Sequence, residues 1–371
     1  MKEKVMIGLS GGVDSAVAAY LLKKQGYEVV AGFMRNWDAI TNGDFLGNPT
    51  LNDPCCPQEA DYEDAKKVAE ILDIPLYRID FIEEYWNEVF TYFLKEYEKG
   101  RTPNPDIFCN KYIKFDSFLK FAKEKGCAYM ATGHYAKRVE IDGHVYLKKA
   151  ADLNKDQTYF LSQLNEEQIA SCLFPLGDID KPEVRRIAEE LALPIAHKKD
   201  STGVCFIGER HFKQFLQNYI PAQPGDIVDI DSKKVLGKHD GVLYYTLGQR
   251  KGLGIGGIHG TTNHSWFVCG KDVEHNILYV ADDPSNEALL STSCVIRQVN
   301  WLLKEYTLPL HCNAKFRYRQ KDLGVTITSL EGDEMVVTYD APYSAVTPGQ
   351  AAVFYLDDVM IAGGTIEKTN K

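Results

Sequence analysis

The stretch IGLSGGVDSAVAAYLLKKQGYEVVAGFM, Ile7–Met34, contains a complete strand–helix–strand unit. It begins at the end of the apolar run VMIGL and closes on a second run, EVVAGFM; both suit buried parallel strands. Between them Val13, Val17 and Tyr20/Leu21 recur at helical spacing, and Gly26 is placed to stop the helix. SGGVDS, Ser10–Ser15, therefore lies where a strand turns into a helix, and backbone N–H groups and the helix dipole there favour an anion. Gly11 and Gly12 let the backbone close around oxygens, and Ser10 and Ser15 can donate hydroxyl hydrogen bonds. Asp14 either binds Mg2+ through water or caps the helix. No Gly-Lys-Ser/Thr follows the glycines, so this phosphate cradle is not the Walker pattern.

The same alternation continues outward. DAKKVAEILDIP reads as a helix, LYRID as a strand and EEYWNEVFTYFLKEYEKG as a long helix ending at Gly100. DSFLKFAKEKG is again helical, and AYMATGHYA is a strand with a polar exit. The pattern predicts an α/β fold with a doubly wound parallel sheet. From Gly225 onward the texture changes to short β-rich runs separated by Gly, Asp and Asn, among them VLYYTL, HSWFVCG, NILYVADD and AAVFYLD. Such spacing predicts small β-barrels. The expected division is an α/β domain over 1–208, a small central domain over 209–282 and a C-terminal β-barrel over 283–371.

Bulk composition narrows the classes. At 371 residues the chain is too long for one ordinary core, and 44% hydrophobic with 25% charged residues describes a soluble globular protein. No apolar run approaches the ~18 residues of a membrane helix, and no signal-peptide pattern opens the chain, so a cytoplasmic location is expected. Nine cysteines without regular spacing, and no Cys-x-x-Cys or His-Glu-x-x-His, argue against a disulfide framework and the common zinc sites. The net charge of −10 leans against nucleic acid, yet phosphate contacts need only a local basic surface. Lys111–Lys125 and KFRYRQK, Lys315–Lys321, could supply one; from charge alone either reads as a solvated face. GLGIGG at 252–257 matches a dinucleotide fingerprint only formally, because turn-rich sequence follows it where a helix would be required. Cys55 and Cys56 read as two unremarkable loop thiols, and Cys127, Cys172, Cys269, Cys294 and Cys312 as core.

Ser-Gly-Gly-x-Asp-Ser after a first strand resembles the PP-loop of the ATP pyrophosphatases. That resemblance implies a loop gripping the β- and γ-phosphates as leaving pyrophosphate, with AMP transferred to a carbonyl oxygen. The loop alone does not choose between enzymes that then add nitrogen and enzymes that add sulfur. Cys109 in GRTPNPDIFCNKYIKF and Cys205 in DSTGVCFIGER, together with ATGHYA, KDQTYFLS and YTLGQRKGLGIGG, resemble the tRNA 2-thiouridylases along essentially the whole chain. The resemblance implies that Cys205 carries a persulfide, that Cys109 is the second nucleophile, and that Asp106 orients the base or moves a proton. Adenylating the uracil C2 oxygen makes AMP the leaving group, and a persulfide then supplies the sulfur. Cys109 and Cys205 read as set in polar Gly/Asn/Asp loops, and Lys111 and Arg210, close in sequence to the two thiols, are expected to favour their thiolates.

Further positions carry over by motif. Gly8, Leu9, Ser10, Gly11, Gly12, Val13, Asp14 and Ser15 would bind ATP with Mg2+, and Met34 and Gly133 would surround the adenosine. Asn104, Pro105 and Asp106 would meet the target base. His134, Lys155, Asp156, Gln157, Arg317, Tyr318 and Gln350 would contact tRNA, so KFRYRQK becomes an RNA surface through resemblance and not through charge. No resident metal site is expected. The family implies tRNAs reading Lys, Glu and Gln codons as substrates, and sulfur from a cysteine desulfurase, directly or through a relay. Two rival readings are a PP-loop ligase that adds nitrogen and a non-catalytic RNA-binding protein controlled by a Cys109–Cys205 disulfide. Neither accounts for both the PP-loop and the cysteine pair.

Overall fold

The computed structural model describes residues 2–53, 56–200, 207, 210–255 and 265–371. Five parallel strands form the first sheet: β1 (Lys4–Gly8), β2 (Glu28–Arg35), β3 (Leu76–Asp80), β4 (Tyr129–Ala131) and β5 (Cys172–Leu173). Their order is β3-β2-β1-β4-β5, so the winding reverses direction between β1 and β4. Ligands bind at such a reversal, outside the carboxyl ends of the strands, and SGGVDS follows β1 there. Helix α1 (Val13–Lys24) buries Val13, Ala16, Val17 and Leu22 against one face of this sheet, which makes the strand–helix–strand reading of Ile7–Met34 correct.

The helical layer on the other face differs from expectation in one important respect. DSFLKFAKEKG is only the end of a longer helical run that begins at Pro105. Pro105–Phe108 is α-helical, Cys109–Ser117 is wound as a π-helix and Phe118–Glu124 is α-helical again. The start is encoded locally, because Asn104 caps it and proline occupies the first helical position. Phe108, Phe115, Phe118 and Leu119 then face the core. Phe118 packs so closely on the sheet that a Cβ at Gly32 would lie 2.4 Å from its ring. A second π segment, Trp86–Phe90, lies within the helical stretch before Gly100.

The later β-rich runs form two further units. Gly225–Asp229, Val235–His239, Phe267–Asp272 and Ile277–Ala281 make a four-stranded sheet. VLYYTL, read as a strand, instead contains a short 3-10 turn at Val242–Tyr244. Val242 and Tyr244 are both buried, and Gly248 at φ 78° turns the chain soon afterwards. The last six strands, from Leu290–Trp301 to Val359–Asn370, pair antiparallel, and the first closes on the last to complete a barrel. A hairpin from the first half, Lys137–Ile141 with His144–Lys148, joins that sheet at Val359. Among the described residues, no helix is long and apolar enough to cross a membrane.

Candidate active site

The loop after β1 is built to leave its backbone open. Gly12 is the N-cap of α1, with extended backbone and no side-chain cap, so the first N–H groups of the helix are not taken up by a capping side chain. Gly11 has φ +73°, and a Cβ there would stand 2.3 Å from the Asp61 carbonyl oxygen. Ser15 Oγ accepts from the Ser10 N–H at 3.1 Å and donates to the Gly12 carbonyl at 3.1 Å, which fixes the loop's curvature. Leu9 and Val13 are buried beneath it, and Gly8 sits beside Met34, whose Cε would be 3.2 Å from a Cβ at that glycine. Gly133, at the exit of β4, lies directly on the helix start; a Cβ there would be 2.8 Å from Ser15 N.

Asp14 does not cap the helix. Its carboxylate accepts from the Tyr135 hydroxyl at 2.8 Å and from Lys181 Nζ at 2.7 and 2.8 Å. Lys181 is itself buried and also pairs with Asp200 at 2.7 Å; Asp200 in turn holds Lys155 at 2.7 Å and Arg185 at 3.1 Å. Burial alone would raise the Asp200 carboxyl, but the hydrogen bonds from Lys155 and Lys181 hold it down at about 2. On the other side of the loop Lys198 donates to the Gly11 carbonyl at 3.0 Å and to Asp61 and Asp64 at 2.7 Å each. Sequence reasoning missed Lys181, Asp200 and Lys198 as site residues. The available signals were Lys-Lys-Asp immediately before the Cys205 segment and a lysine at a helix start.

Cys109 opens the π-helical turn and is fully buried, not displayed on a polar loop as expected. The reason is the early helix start, which turns this position inward among Ile107, Phe108 and Ile113. Three residues earlier Asp106 is half-buried, and its N–H donates to the Asn104 side chain at 3.1 Å. π-Helical turns widen the backbone and occur often at functional sites. The two cations expected to act on the thiols also bind polar side chains elsewhere. Lys111 Nζ donates to Gln163 Oε1 at 3.0 Å, and Arg210 binds the buried Asp44 carboxylate at 2.8 Å. Cys205 and Cys55 lie outside the described residues. Cys127, Cys172, Cys269, Cys294 and Cys312 are buried as expected, and burial pushes the Cys294 and Cys312 thiols up to about 12.

The exit of β4 links phosphate loop and cysteine helix. Gly133 touches the start of α1, while the next residue, His134, lies 5.9 Å from the Phe115 ring of the cysteine helix. His134 Nδ1 shares a hydrogen with Thr132 Oγ1 at 2.8 Å, and burial, aided by Lys114, holds its imidazole neutral well below the usual histidine range.

Other positions inferred from resemblance differ in how they are presented. Lys155 faces Asp200. Asp156 is buried, with its oxygens accepting from the Ala150 N–H at 3.1 Å and the Thr158 hydroxyl at 2.8 Å, and Gln157 Oε1 accepts from the Tyr135 N–H at 3.0 Å. These two side chains shape the segment from within. The Arg317 guanidinium donates to the carbonyls of Leu247 and Ala345 and to the Thr347 hydroxyl at 2.8–3.0 Å. Tyr318 packs on Phe160 with ring centroids 4.4 Å apart, and Gln350 Nε2 donates to the Thr102 carbonyl at 2.6 Å.

Three family models tile the chain: tRNA methyl transferase HUP domain over 3–209, tRNA methyl transferase PRC-barrel domain over 213–282, and aminomethyltransferase β-barrel domain over 291–366. The chain is 55% identical to the tRNA-specific 2-thiouridylase MnmA of Mycoplasma capricolum, covering 100% of both chains. The chain belongs to the tRNA-specific 2-thiouridylase family. Members from Pectobacterium atrosepticum (51% identical, 99% of this chain and 98% of the relative) and Geobacillus thermodenitrificans (52%, 98% and 95%) match equally along their length. The 2-thiouridylase match spans the open glycine loop, the cysteine helix and the barrel alike.

Proposed function

We propose that this protein is an ATP-dependent tRNA-uridine 2-sulfurtransferase acting at the wobble position. The observation that carries the reading is the junction at Gly133–His134, which sets an uncapped, glycine-built helix start beside the helix bearing Asp106 and Cys109, in a chain that matches 2-thiouridylases from end to end. The open N–H groups of α1 suit the phosphates of ATP. Mg2+ binds oxygen donors and commonly relies on nucleotide phosphates plus one carboxylate; Asp14 is the carboxylate of this loop, and Lys181 orients it. The uracil C2 oxygen attacks the α-phosphorus, the α–β phosphoanhydride breaks, and pyrophosphate leaves. AMP is then the leaving group on C2.

Sulfur arrives as a persulfide on Cys205, loaded by a cysteine desulfurase directly or through a relay. The terminal sulfur adds to C2 and AMP departs. The Cys109 thiolate then attacks Cys205 Sγ, the persulfide S–S bond breaks towards the uridine sulfur, and a Cys109–Cys205 disulfide remains for an external thiol to reduce. In this reading Asp106, half-buried one helical turn before Cys109, accepts the base's proton. The substrates, in the same reading, are tRNAs reading Lys, Glu and Gln codons. The test is reconstitution from unmodified tRNA, Mg-ATP, cysteine and a cysteine desulfurase, read as AMP release and mercury-retarded tRNA. Product that requires ATP and both cysteines is expected; AMP without thiolation keeps the adenylation step and points to a missing relay or another nucleophile, and the absence of both products overturns the reading.

A further inference from the structure

The segment that leads into the cysteine helix is gripped by both downstream domains. Thr102 is almost fully buried; its N–H donates to the Pro348 carbonyl at 3.1 Å, and its carbonyl accepts from Gln350 Nε2 at 2.6 Å. Between those two contacts Gly349 presses on the same backbone, where a Cβ would stand 2.9 Å from Thr102 N and from Arg101 Cβ. The central domain adds Thr246, whose hydroxyl lies 3.2 Å from the Thr102 hydroxyl. Arg101 bridges the buried Glu96 and Glu367 of the last barrel strand. Arg317 ties the two gripping segments to each other, holding Leu247 on one side and Ala345 and Thr347 on the other.

Two residues downstream of this clamp Asn104 caps the helix, and Asp106 and Cys109 follow. A helix start has little intrinsic rigidity, because its first turn lacks intrahelical acceptors for its N–H groups. Its register is set by whatever holds the chain entering it, and here that is the barrel and the central domain.

We propose that the seating of the C-terminal barrel on Thr102 sets the register of the cysteine helix, and that Gln350, Gly349 and Arg317 act through it as positioning residues. The proposal rests on the reading that Asp106 and Cys109 do the chemistry. It gives the two side chains expected to touch RNA, Arg317 and Gln350, a role that exists before any RNA binds. It also makes barrel placement, and hence any tRNA held on the barrel, mechanically continuous with the catalytic helix.

The test uses the full chain with Gln350→Glu, which keeps the side chain's shape but removes the donor to the Thr102 carbonyl. A second variant, Gly349→Ala, unseats the clamp without altering any group that could bond RNA. Three quantities are read: amide hydrogen exchange across 102–110 in RNA-free protein, the AMP-forming rate at saturating tRNA, and the Kd for an unmodified tRNA transcript. In both variants, exchange across 105–110 is expected to speed up about tenfold or more and the saturating rate to fall about tenfold, with Kd within about threefold of the parent. Unchanged exchange, with a full saturating rate and a raised Kd, would overturn the proposal and make Gln350 an RNA contact only. Parent protein that releases no AMP would instead remove the catalytic reading, and the exchange data would still decide whether the barrel holds the helix.

Discussion

Replacing Asp200 by Asn removes the carboxylate on which Lys155, Lys181 and Arg185 converge, and leaves Lys181 to Asp14 alone. The folded carboxyl sits at about 2 against an ordinary 3.8. At about 1.4 kcal/mol per pKa unit this corresponds to no more than about 2.5 kcal/mol of stability near neutral pH. The side chain is 33% exposed, so water and salt screen part of it, and about 1–1.5 kcal/mol is the expected cost of the substitution. Because the folded pKa is depressed, the stabilisation is complete above the unfolded value of about 4 and is lost as pH falls towards about 2. Urea unfolding of parent and variant should therefore differ by a constant amount from about pH 8 to pH 5, and the gap should narrow below about pH 4. A gap under about 0.3 kcal/mol, or one that does not shrink between about pH 5 and pH 3, would refute the network as a source of stability.

Asp14→Ala should abolish AMP formation while leaving the Kd for tRNA within about threefold, measured by filter binding; normal adenylation would remove Asp14 from the phosphate site. Gly11→Ala places a methyl 2.3 Å from the Asp61 carbonyl oxygen at a positive φ, so a stability loss of about 1–3 kcal/mol and weakened ATP binding are expected by denaturation and calorimetry. Arg317→Ala deletes three hydrogen bonds at the domain junction and should lower the unfolding free energy by about 1–3 kcal/mol. An Arg317 that also meets RNA phosphate would in addition flatten the salt dependence of tRNA binding, and an unaltered slope would confine it to the junction.

Much of the fold was legible because its signals are local. The phosphate loop is written in six consecutive residues, and glycines at 11 and 12 mark a backbone that must approach something closely. The barrel was legible from short apolar runs separated by turn residues. The helix start at Pro105 was legible too, since Asn104-Pro105 is a capping signature, but the polar residues Asn110, Lys111 and Lys114 interrupt the apolar spacing that would extend it past Cys109. Once that helix forms, Cys109 turns inward with Ile107, Phe108 and Ile113, and its burial follows. Asp156 shows the opposite trap. A charged residue between Lys155 and Gln157 reads as surface, yet both its oxygens are engaged inside, and burial raises its carboxyl.

By itself the sequence determined the alternating α/β domain, the glycine loop at the end of its first strand, and the chemistry its motifs point to. These are properties of short segments, where residue type, spacing and chain direction fix the backbone. Only the tertiary structure decided that Lys181 and Asp200 govern Asp14, that the β4 exit joins loop to cysteine helix, and that Thr102 is held by two other domains. The residues in those contacts stand from tens of positions to almost 250 apart in the chain. No local preference brings them together; burial of apolar clusters that run across the domains does, and the polar groups carried along must then find one another.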